Sequence, residues 1–253
     1  MAVGRDELRA VLDAELTVSA FNDYCPNGLQ VEGRDEINVL VSGVTACQAL
    51  LDRAVELKAD AVLVHHGYFW RGEDQRLVGM KAQRIRTLLE AGISLFAYHL
   101  PLDCHPTLGN NAGLARAMGL QEWEGIDPEN TTTPVFCGAF DEGTQLSEIV
   151  CRLELELQRE ALVIGDPDAV IRSAVWCTGG GQEYIDEAAS YSADLFITGE
   201  VSEQTVHVAR ERGLAFVAAG HHATERFGAQ SLGQWIAERF GIDHHFVDID
   251  NPA

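Results

Sequence analysis

The stretch that decides the fold is Ala61-Val62-Leu63-Val64-His65-His66-Gly67. Four consecutive apolar residues read as a short buried strand, and the strand ends in two adjacent imidazoles. Inside a strand, neighbouring side chains point to opposite faces. At a carboxyl end the chain turns, so both rings can reach one crevice, and such crevices are where α/β folds bind ligands. Two other stretches repeat the arrangement. An apolar run over 93–98 leads into His99-Leu100-Pro101-Leu102-Asp103, and another over 214–219 leads into Gly220-His221-His222-Ala223-Thr224-Glu225.

Working outward, the spacing predicts a regular alternation: strand 37–41, helix 46–57, strand 61–64, helix 81–90 and strand 93–98. Strands alternating with helices predict parallel pairing through right-handed crossovers. The chain then repeats itself, with strand 174–177, helix 183–190, strand 194–198, helix 203–212 and strand 214–219. The landmarks correspond. Ala59-Asp60 matches Ala193-Asp194, Gly92 matches Gly213 at a helix end, and His99 falls close to His221. Ahead of the first repeat lie a helix over 5–16 and a loop over 21–33 whose Pro26-Asn27-Gly28 is a turn signal. Between the repeats, 126–171 reads as an inserted β-α-β segment, with strand 135–140, helix 147–157 and strand 161–164. A helix over 229–240 and a strand over 242–249 close the chain, and His244-His245 falls on that strand, read as an exposed edge. The expected architecture is two interlinked, similar α/β domains with a metal site between them. Residues 1–125 form the first unit. Residues 126–253 form the second, with the chain end free to pack back on the first.

Three strand ends carrying imidazoles and carboxylates predict a metal site, and the five ligands His65, His66, Asp103, His221 and Glu225 predict two ions. His221 and Glu225 are spaced i, i+4, so they share a face if a helix starts there. Pro101 stiffens the segment that holds Asp103. Imidazoles mixed with carboxylates suit Zn, Fe, Mn, Co or Ni better than Ca or Mg, which favour all-oxygen shells. Few protein ligands for two ions leaves positions open for water and substrate, a catalytic arrangement. Glu200 stands where the second repeat matches His66 and is a weaker sixth candidate. His99 is the candidate proton-transfer residue, with a supporting or packing role as the alternative. Gly179-Gly180-Gly181 lacks the endings of known phosphate loops and reads as a tight turn. Glu203 and His207 read as an exposed or interface helix face, and His105 and His222 as lining residues.

Composition excludes other classes. A formal net charge of −21 argues against a surface built for nucleic acid, which needs clustered Lys and Arg. No apolar run is long enough to span a bilayer, and the first residues lack the apolar core of a signal peptide, so a cytoplasmic protein is expected. The six cysteines form no Cys-x-x-Cys pair and read as reduced, mostly buried thiols. Cys104, next to Asp103, is the one most open to a role, with passive packing the safer account.

With these residues in view, the sequence resembles the GTP cyclohydrolase 1 type 2 homologues, the NIF-three-like dinuclear metal centre proteins. The matching stretches are Asn27-Gly28-Leu29-Gln30-Val31, Val64-His65-His66-Gly67, His99 to Asp103 with Gly109-Asn110-Asn111, Thr198-Gly199-Glu200, and Gly220-His221 to Glu225. The resemblance is closest to the compact bacterial members. It implies a dinuclear site on the same five ligands and a homohexamer shaped as a ring (toroid), with the sites facing an inner cavity. Many members carry Pro after the His pair, where this chain has Gly67. The function expected from these features is a metal-dependent hydrolase. Its substrate would be a small nucleotide-like or cyclic-amide molecule, attacked by metal-bound hydroxide. The alternative is a non-catalytic metal-binding or metal-delivery protein, or an assembly scaffold.

Overall fold

The computed structural model describes residues 2–253. They form two compact units, one of residues up to 102 with 228–250, the other of 103–227 with 251–253. In chain order the first unit carries helix α1 (Arg5–Glu15), strands β1 (Gly28–Val31) and β2 (Val39–Thr45), helix α2 (Gln48–Glu56), strand β3 (Ala61–His66), helix α3 (Gly79–Ala91) and strand β4 (Ser94–Ala97). The one-turn helix α4 (Leu100–Asp103) follows, its last residue counted in the second unit. The second unit carries α5 (Asn110–Met118), β5 (Phe136–Gln145), α6 (Leu146–Leu157), β6 (Leu162–Ile164), β7 (Val170–Cys177), α7 (Ile185–Ser190), β8 (Leu195–Thr198), α8 (Glu203–Arg212), β9 (Ala215–Ala218) and α9 (His221–Thr224). Helix α10 (Arg226–Phe240) and strand β10 (Asp243–Phe246) follow.

Each unit is built on a parallel three-strand centre. In the first the sheet order is β10-β2-β3-β4-β1, parallel except for β1. In the second, β7-β8-β9 are parallel and are flanked by antiparallel β5 and β6, with a two-residue strand at 124–125 beyond β5. The stretch 61–65 is fully buried because helices cover both faces of such a sheet, which is why it lacks polar alternation. Period-two alternation appears in the second unit instead. Trp176, Ile197 and Val217 pack on one face with Leu114, Ile149 and Leu153. Val175, Phe196 and Phe216 pack on the other with Ala188 and Ala209.

The matched landmarks do matched work. The Asp60 carboxylate accepts Asn38 N–H at 2.8 Å and Val39 N–H at 3.1 Å, pinning the start of β2, and pairs with Arg34 at 2.7 Å. Asp194 accepts Arg172 N–H at 2.8 Å and Ser173 N–H at 3.0 Å on β7 in the same way. Gly92 and Gly213 end α3 and α8 with φ of 64° and 66°. After each, a backbone N–H reaches back to the helix, from Ile93 to Leu88 O and from Leu214 to Ala209 O, the left-handed cap that glycine adopts without strain.

The structure bears on several expectations. By contacts the first compact unit runs up to residue 102 and takes in 228–250, and α5 packs on α6 in the core of the second. The 126–171 segment enters the second sheet from both sides, β5 beside β7 and β6 beside β9. The 21–33 loop contains strand β1, paired antiparallel with β4. Residues 100–103 are a helical turn rather than a loop, and Pro101 is tolerated there because first-turn N–H groups have no helical partner. His244 is half-buried on its edge strand, bonded to Ser42 Oγ at 2.8 Å. All six cysteines are free thiols.

Candidate metal centre

In the first unit, β3 and β4 end side by side and place three imidazoles together. Ring centroids lie 4.6 Å apart for His65 and His66, 5.0 Å for His65 and His99, and 5.7 Å for His66 and His99. One ligating atom from each lies within 4.8 Å of the others. The rings are oriented by outer partners. His65 Nδ1 lies 3.0 Å from the Tyr98 carbonyl. A carbonyl only accepts, so Nδ1 carries the proton and Nε2 the lone pair, the tautomer that a metal requires. His66 Nδ1 is 3.3 Å from Thr45 Oγ1.

His99 is held by residues from the loop over 21–33. Its Nδ1 donates to Asp23 Oδ1 at 2.8 Å, and its backbone N–H donates to Asn27 Oδ1 at 2.7 Å. Asp23 Oδ2 accepts Leu100 N–H at 2.9 Å and Asn27 Nδ2 at 2.8 Å. Burial alone would raise the Asp23 carboxyl, but His99, Asn27 and the Tyr24 N–H hold it down at about 2. Gln30 clamps the loop after the His pair. Its Oε1 accepts Tyr68 N–H at 2.7 Å, and its Nε2 donates to the Pro26 and Tyr68 carbonyls. Trp70 stands edge-on to His99 at 5.0 Å and donates from Nε1 to Gly67 O. Asp23, Asn27 and Gln30 are the functional residues the sequence missed. A turn motif full of carboxylate and amide groups was the available signal, but their partners lie 38–77 positions away.

In the second unit, Asp103 is buried and its Oδ1 accepts from Asn110 Nδ2 at 2.8 Å and Thr178 Oγ1 at 3.3 Å. Asn111 ties the same corner together. Its Nδ2 donates to Asp103 O and Pro134 O, and its Oδ1 accepts Thr178 N–H. This accounts for the Gly109-Asn110-Asn111 stretch. His221 sits on the one-turn helix α9, and Glu225 terminates it. His221 Nε2 is 3.2 Å from Glu225 Oε2, and its Nδ1 is 2.6 Å from Glu200 Oε1. The hydrogen bond with Glu225 raises His221 to about 9 against the opposing effect of burial, and Glu200 adds to it. Glu200, the weaker candidate, is thus the partner that orients His221.

The glycine run is shaped by this cluster. A Cβ on Gly179, whose φ is +67°, would stand 2.0 Å from Glu225 Oε1, and one on Gly181 would meet Cys177 and Thr198 below 3 Å. The N–H groups of Gly179 and Gly181 are taken by Thr224 and Thr198, so the loop is a close-approach turn and not a phosphate cradle. Cys104 donates to the Thr132 and Thr133 carbonyls, a packing role. His105 Nδ1 accepts Leu108 N–H within its own turn, the backbone N–H of His222 donates to the carbonyl of Ala253, and His207 is exposed on α8.

The donor chemistry fits a divalent metal. His65, His66, His221 and Asp103 each have an outer hydrogen-bond partner, as metal ligands usually do.

Residues 3–252 match the family model described as Duf34/NIF3 (NGG1p interacting factor 3). The chain is 52% identical over 253 residues to the GTP cyclohydrolase 1 type 2 homolog of Pseudomonas aeruginosa, covering all of both chains. Among solved structures, it is 50% identical to the structural-genomics protein ybgI of unknown function, with a TM-score of 0.93 over 99% of this chain and 100% of that one. It is 34% identical to TTHA1606 from Thermus thermophilus, with a TM-score of 0.87 over 99% and 100%. With its strand-end histidines, duplicated α/β units and full-length match, the chain belongs to the Duf34/NIF3 family.

Proposed function

We propose that this protein holds two divalent transition-metal ions on His65, His66, Asp103, His221 and Glu225 and hydrolyses a small nucleotide-like or cyclic-amide molecule. The observation that carries this is the preset orientation of the donors. His65 is locked in the metal-ready tautomer by Tyr98 O, and Asp103 is aimed by Asn110 and Thr178. Gly179 leaves room for the Glu225 carboxylate. Such ions supply Lewis acidity and lower the pKa of water. The chain's part is to fix the donors on rigid strand ends and to wall the first cluster with Trp70. Zn, Fe, Mn, Co and Ni suit this donor set. No described helix is long and apolar enough to cross a membrane, and with a charge of −21 the substrate is a small molecule rather than a nucleic acid. The homohexameric ring belongs to the same proposal and is tested by sedimentation.

The experiment is turnover of a panel of nucleotides, phosphoesters and cyclic amides by metal-loaded protein, alongside the double variant His66→Ala, Glu225→Ala. Turnover lost in the variant supports a hydrolase, and turnover that survives removes it. Exchangeable metal passing to an acceptor, with no turnover anywhere on the panel, instead identifies a metal-delivery protein or scaffold.

A further inference from the structure

We propose that Trp70 and Arg71 read the substrate. The Trp70 indole stacks on its heterocyclic ring and the Arg71 guanidinium binds its phosphate, so the site takes a nucleotide in preference to an uncharged cyclic amide. This deepens the hydrolase proposal above and rests on it. The chain carries 39 acidic side chains against 18 lysines and arginines, so a cation held without an acidic partner stands out. Arg71 is one. Its Nη2 donates to Asn22 Oδ1 at 3.2 Å and to Asp23 O at 2.9 Å, and its guanidinium carbon lies 5.9 Å from the centre of the Tyr24 ring. All three partners are neutral, and Nε and Nη1 have no partner among the described residues. The Arg71 backbone N–H donates to Tyr24 O at 2.6 Å. Backbone and side chain thus tie Arg71 to residues 22–24, the segment whose Asp23 aims His99. A guanidinium fork with N–H groups to spare suits a phosphate. Arg71 also lines a hollow of about 490 Å³ beside Trp70, large enough for a small ligand. Lys81, the other cation lining it, is already paired with Glu73 at 3.2 Å, which leaves Arg71 as the uncompensated charge there.

Trp70 is fixed at the rim of the histidine cluster. Its Nε1–H donates to Gly67 O at 3.2 Å and its backbone N–H to Glu73 Oε2 at 3.1 Å. The indole meets His66 at an interplanar angle of 55° and His99 at 83°. Neither ring stacks on it, so its half-buried face remains for a planar ligand. The residue before it, Phe69, has φ of +67°, a left-handed conformation that bulky side chains avoid. Backbone strain of this kind gathers at ligand sites, and here it sits at the turn that lays Trp70 against the histidines. An aromatic face next to a guanidinium binds a base together with its phosphate. An uncharged cyclic amide would leave the guanidinium unused.

The test reads binding rather than turnover, on metal-free protein kept in chelator, so that no ion contributes to holding phosphate. The probes are AMP and adenosine, which share the ring and differ in the phosphate, followed by calorimetry and by tryptophan fluorescence. AMP is expected to bind at least about tenfold more tightly than adenosine. Arg71→Gln should bring AMP down to the affinity of adenosine and leave adenosine unchanged. Trp70→Leu should weaken both by about tenfold, and Trp70→Phe should recover most of that loss. Arg239→Gln, which removes a guanidinium lying over Trp235 on α10, should alter neither. Equal affinities for the two probes, AMP binding unmoved by Arg71→Gln, or no AMP binding at millimolar concentrations each overturns the proposal. None of these touches the hydrolase reading, which is judged by turnover of metal-loaded protein. Conversely, the expected binding pattern with no turnover anywhere on the panel means that the hydrolase reading has failed while the recognition by Trp70 and Arg71 stands. If a variant folds poorly, the comparison of AMP with adenosine on the unmodified protein still decides.

Discussion

Gly179→Ala offers a clean separation of backbone strain from site geometry, because the fold supplies its own control. Gly179 and Gly213 have nearly the same φ, +67° and +66°. A Cβ on Gly213 meets nothing within 4 Å, whereas one on Gly179 would lie 2.0 Å from Glu225 Oε1 and 3.2 Å from His221 Nε2. Gly213→Ala therefore carries only the left-handed penalty, about 1 kcal/mol, or a fall in Tm of roughly 2–4 °C for a chain of this size. Gly179→Ala carries the same penalty and must also displace the buried Glu225 carboxylate by at least about 1 Å. Loosening its charge-assisted bond to His221 adds about 2 kcal/mol, for a total of about 3 kcal/mol and roughly 6–12 °C. Calorimetry on the metal-free variants reads these shifts, and zinc competition with a chromogenic chelator reads the site. Zinc affinity should fall at least tenfold in Gly179→Ala and stay at the unmodified value in Gly213→Ala. Equal Tm losses in the two variants, with zinc affinity unchanged in both, would refute the claim that this glycine exists to admit the carboxylate.

Other expectations follow from the same contacts. Burial, with the charge of His245 beside it, lowers His244 to about 4 from an ordinary 6.5. The unfolded chain then binds the extra proton first, and stability should fall as pH drops from 6.5 towards 4. Solvent screening of this partly exposed ring limits the loss to about 2 kcal/mol. Urea midpoints for the unmodified protein and His244→Gln should converge over that window. Asn110→Ala removes the amide that aims Asp103 and should lower metal affinity about 10–100-fold, with a smaller effect on the urea midpoint of metal-free protein. Asp60→Ala strands two backbone N–H groups and Arg34 and should cost about 2–3 kcal/mol. Asp194→Ala, whose carboxylate has no arginine side-chain partner among the described residues, should cost less in the same denaturation assay.

Much of the architecture could be read along the chain because its signals are local. Apolar runs ending in histidine marked β3, β4 and β9. Helical spacing marked the crossovers, and the repeated Ala-Asp and Gly landmarks exposed the duplication. Boundaries were less legible. Residues 110–118 sit in the sequence beside the first repeat, yet Leu114, Ala115 and Met118 fill the core around Trp176, a matter of volume and facing surfaces that no local pattern encodes.

By itself, then, the sequence determined the element types, the parallel centres of both units and which side chains are candidate donors, because hydrophobic periodicity and residue chemistry are properties of short segments. Only the tertiary structure decided how those donors are aimed. Tyr98 O behind His65, Asp23 behind His99, Asn110 behind Asp103, Glu200 behind His221 and Gly179 beside Glu225 are pairings set by packing across the fold. A hydrogen bond depends on ångström-scale placement of two groups, and that placement exists only after the sheets have assembled and fixed the loops between them.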